Sequence, residues 1–182
     1  MSVQRQMVTL SLLLLLPIAA MSRITLPVAA SSLGSQASGG LGLTLKEWEL
    51  HHGKGTKATG GFLQYEHYGD VKQGAPFRYA VMPLSDRVWF LVYQTDESKD
   101  LIPIADARAL AAQLIPLDSQ QVSTSTDRDG NPMDVFVSDW LIGQFPADEW
   151  KNDRIGTFSI IYSSDDGNMV WQFVISLGSK DS

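Results

Sequence analysis

No cysteine occurs anywhere in this 182-residue chain. That single absence excludes a disulfide framework, a thiolate metal site, a thiol nucleophile and a lipoprotein anchor on an acylated cysteine. The core must then hold by apolar burial alone, which suits one domain of roughly 140 residues but not two independent mini-domains. Histidine is scarce too, with three copies at positions 51, 52 and 67. Basic residues number 14 against 20 acidic ones, for a net charge of -6, and they form no cluster. Nucleic acid is therefore not an expected partner. The sequence has no G-x-S-x-G nucleophile elbow, and the glycine- and lysine-bearing loop Gly53–Gly61 fails the G-x-x-x-x-G-K-[ST] pattern and follows no strand.

What is present begins with a leader. Arg5 precedes the apolar run Leu10–Met21 (LSLLLLLPIAAM), whose length fits a signal h-region and falls short of a membrane span. Val28 and Ala30 occupy the -3 and -1 positions for cleavage after Ala30, and a cut after Ala20 is the alternative. Residues 1–30 are expected to be a signal peptide and 31–40 (SSLGSQASGG) a flexible linker. Residues 41–178 are expected to form a single α+β domain, with halves at 41–100 and 101–178. The expected location is secreted or periplasmic, with membrane contact only through an uncleaved leader.

The best-signed element is the stretch Leu43–Gly53. Thr44 and Glu47 make an S/T-x-x-E capping box, Leu43 and Trp48 are placed for a hydrophobic staple, and Gly53 sits where a left-handed end residue is wanted. The helix has one apolar side (Leu45, Trp48, His52) that must lie on something. Strands are expected at Phe62–Tyr68, Phe77–Met82 and Arg87–Gln94. In the last of these Val88, Phe90 and Val92 alternate with Trp89, Leu91 and Tyr93, so both faces are apolar. Such a strand is central and covered twice, or its second face meets a partner.

A second helix is predicted between Pro103 and Pro116, with Ile104, Ala107, Ala111 and Leu114 on one stripe. A short strand around Gln121–Thr124, a turn at Asp127–Pro132, a strand over Met133–Ser138 and a helical turn within Asp139–Phe145 follow. Thr157–Tyr162 and Met169–Ser176 read as a hairpin around Ser164–Asn168. Val88-Trp89-Phe90-Leu91-Val92 is echoed by Val170-Trp171-Gln172-Phe173-Val174, each downstream of one helix. The reading is α+β, two helices packed on antiparallel sheet, with two fused helix-strand-strand-strand repeats left open.

Leu43–Gly53 and the two Val-Trp hairpins resemble the architecture of the β-lactamase inhibitor proteins and the small outer-membrane assembly lipoproteins related to them. That resemblance implies a secreted bacterial protein with a concave sheet used to bind another protein. Those inhibitors staple each repeat with a disulfide, which this chain lacks, and their enzyme-contacting loops match no positions here. No functional residue is carried over.

The residues offer three kinds of site. A metal-dependent hydrolase would draw on Glu47 and His51, at i, i+4 spacing on the first helix, with His67 from the next strand. Asp127, Asp129, Asn131 and Asp134 resemble a calcium loop, but no glutamate closes the set at the required distance. The aromatics are the third: Tyr65, Tyr68, Trp89 and Tyr93 form the expected exposed binding face, for a protein partner or, alternatively, for a carbohydrate on aromatic platforms. No cofactor is expected.

Overall fold

The computed structural model describes residues 38–67, 77–95, 101–150 and 153–179, all within the compact unit Gly34–Ser182. The expected signal peptide, most of the linker, Tyr68 and the side chain of His67 lie outside what is described. Helix α1, Leu45–His52, opens as its sequence dictates. The Glu47 N–H donates to Thr44 Oγ1 over 3.2 Å, and the Thr44 N–H donates to Glu47 Oε2 over 2.8 Å. Each bond satisfies a donor that a helix start leaves without a partner. Gly53 ends the helix at φ 73, a left-handed value that a side chain would resist.

The strands follow in chain order: β1 (Thr56–Lys57), β2 (Leu63–His67), β3 (Phe77–Leu84), β4 (Arg87–Gln94) and β5 (Ile102–Pro103). Helix α2, Ile104–Ala112, comes next, then β6 (Gln120–Thr126), β7 (Pro132–Val137) and the short helix α3, Asp139–Ile142. The chain ends with β8 (Thr157–Ser163), β9 (Met169–Val170) and β10 (Gln172–Leu177). The main sheet is antiparallel with eight strands in the order β1-β2-β3-β4-β10-β8-β7-β6, and β5 pairs with β9 in a small second sheet. An α+β fold on antiparallel sheet is thus the architecture, with a third helix beyond the two long ones expected. Met169–Ser176 is split at Trp171, because β9 leaves the main sheet to pair with β5.

The β3–β4 hairpin turns on two residues, Ser85 and Asp86, with φ of 48 and 70. Two left-handed residues in a two-residue loop match the right-handed twist of the strands, although glycine or asparagine adopts that geometry at lower cost. The Asp86 carbonyl accepts the Leu45 N–H over 2.8 Å, so the turn also seats the start of α1.

The three described α-helices contribute to one core. Trp48 of α1, Ala107 and Ala111 of α2 and Leu141 of α3 are buried together with Val81, Leu91, Ile160, Phe173 and Ile175. The two alanines let α2 approach the sheet closely, as the small residues of its stripe predict. Ser38–Gly40, read from composition as linker, belong to the fold. Ser38 bridges to Pro116, and a Cβ on Gly39 would stand 1.7 Å from the Gln113 carbonyl oxygen. Glycine is there for close approach of two backbones, a use that looks like flexibility in a composition.

Candidate functional site: the two faces of the sheet

On the face beneath the helices, cross-strand pairing sets Tyr65 opposite Tyr79, Tyr79 opposite Tyr93, Tyr93 opposite Phe173 and Phe173 opposite Tyr162. This aromatic row crosses β2, β3, β4, β10 and β8. Tyr93 and Phe173 stack with ring centroids 4.9 Å apart, and Tyr79 meets Tyr93 edge-on at 5.5 Å. Trp48 lies over the row, 5.8 Å from Tyr65 and 5.6 Å from Tyr79, and stacks on His52 at 3.9 Å. These offset and edge contacts are the arrangements that ring quadrupoles favour.

Tyr65 and Tyr93, expected on an exposed face, are therefore buried under α1 and the core, at 1% and 9% exposure. Burial, with the Glu49 charge nearby, pushes the Tyr65 hydroxyl up to about 12. Trp89 is half-buried and packs against the same core. Alternation alone sets Trp89 on the face of Leu91 and Tyr93, and it stands at a β-bulge: Met82 pairs with Phe90 but Pro83 pairs with Val88, so Trp89 is an extra residue on β4. Past the bulge the alternation reverses, and Val88 joins Leu91 in the core instead of sharing a face with Phe90. Pro83, which has no N–H to give, sits where the ladder is already interrupted.

Glu47 is occupied by its capping role, with Thr44 hydrogen bonds holding its carboxyl below the usual range. His51 stands at the opposite end of α1. Of the histidines, His52 makes the well-defined contact: its Nδ1 lies 2.7 Å from Glu66 Oε1. An ionised carboxylate only accepts, so the ring proton resides on Nδ1 in this pair. Arg78 Nε lies 3.9 Å from the other Glu66 oxygen. Among the described residues no group of three or more His, Asp or Glu is placed to hold a metal ion.

The most elaborate polar constellation is one that sequence reasoning missed. Asp134 on β7 points to the helix side and is 2% exposed. It accepts from Arg108 Nε at 2.9 Å and from the Arg108 Nη2 at 3.1 Å, from Gln121 Nε2 at 3.1 Å and from Thr124 Oγ1 at 3.0 Å. The Arg108 guanidinium also lies 5.7 Å from the Tyr162 ring centroid. Desolvation, then the Asp134 charge, push the Tyr162 hydroxyl well above its ordinary value. Both oxygens of the carboxylate are engaged, by groups from α2 and β6, so this is a lock between α2, β6 and β7 and not an open site. Asp134 is thus turned away from the turn it was grouped with. There Asp127 Oδ1 accepts the N–H groups of Asp129 at 2.9 Å and Asn131 at 2.8 Å. Burial pushes the Asp127 carboxyl up, but those bonds and the Asn131 side chain hold it below its usual range.

Helices α1, α2 and α3 bury their apolar side chains against the first face, and the other face carries a second apolar set. Ladder partners there are Ala80, Val92, Val174, Ile161 and Met133 in one row, with Met82 and Phe90 paired beside it. Met133, Val135 and Ile161 form a small cluster of their own. Met82, Phe90, Val137 and Val174 are half-buried, and Phe62 meets Phe90 edge-on at 5.7 Å.

Comparison with protein-family models, curated proteins and solved structures found no match. No described helix is long and apolar enough to cross a membrane.

Proposed function

We propose that this chain is a non-enzymatic extracytoplasmic binding or accessory protein that recognises another protein through the sheet face turned away from its helices. One observation carries the reading. The face turned away from α1, α2 and α3 carries the half-buried apolar side chains Met82, Phe90 and Val174, along a row whose other members, Ala80, Val92 and Ile161, are buried. The aromatic component expected of such a face falls to Phe62 and Phe90, beside Met82. Aromatic and methionine side chains on a broad sheet are what protein interfaces enrich.

The reading of the domain as two fused repeats belongs with this proposal. The strand order β2-β3-β4 meets β7-β8-β10 head-on at the β4–β10 seam, where Val92 pairs with Val174. Those two valines are the last residues of the echoed Val-Trp segments, so the echo is centred on its own pairing. Duplication of this kind would join two half-sheets into one surface wide enough for a partner protein.

The test is capture of envelope or culture-supernatant proteins on residues 31–182. One dominant partner is expected, lost in Met82→Lys and Val174→Lys with the circular dichroism unchanged and kept in Leu50→Lys, whose parent side chain is 75% exposed on α1. Capture unaffected by both lysines, or no partner at all, would defeat the proposal.

A further inference from the structure

The two ends of the eight-stranded sheet are built differently. At one end β1 is two residues long and carries Lys57, a short and charged edge of the kind that stops a sheet from adding strands. At the other end β6 runs seven residues, Gln120–Thr126, all exposed, with the sequence QQVSTST. It contains no Lys, Arg, Asp, Glu or Pro, and among the described residues it pairs only with β7. Its one irregularity is a bulge at Val122, since Gln121 pairs with Phe136 and Ser123 with Val135. From Ser123 to Thr126 the register is regular.

The direction of the free backbone groups follows from the turn. The Asp127 N–H donates inward to the Asn131 carbonyl over 2.9 Å. Antiparallel ladders alternate, so Ser125 bonds toward β7 while Thr126 and Thr124 aim their N–H and C=O away from it. Pairing of Thr126 with Pro132, which has no N–H, fits that phase. A strand of serines and threonines thus offers an unpaired ladder to the outside.

We propose that β6 is a self-pairing edge: a second copy of this chain sets its own β6 antiparallel to the first and joins two sheets into one. One register pairs both outward residues of each copy. Thr124 of each copy faces Thr126 of the other, giving about four main-chain hydrogen bonds within the regular segment, and Ser125 faces Ser125 across the two-fold. The choice of occupant rests on charge. A two-fold pairing places each residue against a residue of the same strand, so any charge near the centre meets its like. The stretch Ser119–Thr126 has none, in a chain that is 19% charged. The flanking charges fall on neutral partners in this register: Asp127 opposite Ser123, Arg128 opposite Val122, Asp129 opposite Gln121.

Sedimentation velocity of the purified chain over a range of concentrations tests this, with Ser125→Lys, Ser125→Glu and an equal mixture of the two. The wild-type chain is expected to shift from monomer to dimer as concentration rises. Each variant should dimerise at least about tenfold more weakly, because two like charges meet at the two-fold, and the mixture should recover dimer as lysine meets glutamate. Recovery in the mixture cannot come from a misfolded chain, so the test survives any loss of stability in one variant. A wild-type chain that stays monomeric throughout, as it would if the edge served only a foreign peptide, overturns the proposal. So do variants that dimerise as well as the wild type, or a mixture no better than its components.

Discussion

Replacing Arg108 with leucine probes the lock between helix and sheet most directly. The substitution removes two of the four donors on a carboxylate that is 2% exposed. Breaking one side of a buried ion pair costs about 3–5 kcal/mol, because the surviving charge stays desolvated. Two features of this site lower the figure. The Arg108 side chain is 42% exposed, so water already screens part of the interaction. Gln121 and Thr124 still donate to Asp134 at 3.1 and 3.0 Å. The expected loss is about 2–3 kcal/mol, which for a domain of this size lowers Tm by about 8–12 °C. Urea unfolding followed by tryptophan fluorescence, with calorimetry for Tm, measures both. The pair Arg108→Leu with Asp134→Leu should be less destabilised than Arg108→Leu alone, because no buried charge is left and Gln121 and Thr124 reach water. A change within about 0.5 kcal/mol for Arg108→Leu, the range of an ordinary surface substitution, would refute the reasoning. A double variant less stable than the sum of the two singles would do so equally.

Three further outcomes follow from α1 and from the β3–β4 turn. Thr44→Ala should cost about 1 kcal/mol, the usual worth of an N-cap. Hydrogen bonds from Thr44 hold the Glu47 carboxyl below its ordinary 4.5, so the stability it contributes is present above that pH and lost as pH falls through the lowered value; the gap in urea midpoint between wild type and Glu47→Gln should narrow from pH 7 to pH 3. Asp86→Gly should stabilise the domain by about 0.5–1 kcal/mol, since glycine holds φ 70 without steric cost. A loss of stability there would mean that the Asp86 side chain does more than its backbone.

The parts of the fold legible in the sequence are those fixed by near neighbours. Thr44 and Glu47 are three residues apart, so their capping box is written in one short string, and Pro103 and Pro116 bracket α2 for equally local reasons. Trp89 shows where local reading stops. Nothing within β4 announces a bulge opposite Pro83 of the neighbouring strand, yet that bulge decides which way Val88 points. Tyr65 and Tyr93 could be read as aromatic, but whether a helix would cover their face depends on where α1 docks. Asp134 carried a signal that could have been used: it shares a strand face with Phe136 in an alternating segment, and Phe136 stacks on Phe158 at 5.3 Å. A carboxylate on the core face demands a cation, and Arg108, just off the buried stripe of α2, was available to supply it.

The place of β10 has a consequence for the order in which this molecule can be completed. It comes last of the strands, yet it lies between β4 and β8, and its partner residues on β4 are some 80 residues upstream. Until Gln172–Leu177 has been synthesised, β4 and β8 each hold an open edge, and no strand ladder among the described residues joins the two halves of the sheet. Pairing across such a long loop is entropically slow, and open edges are the surfaces from which aggregation starts. A chain stopped a few residues short of β10 is expected to lose more than one strand: it becomes two unclosed sheets on a single polypeptide, each able to recruit its neighbours.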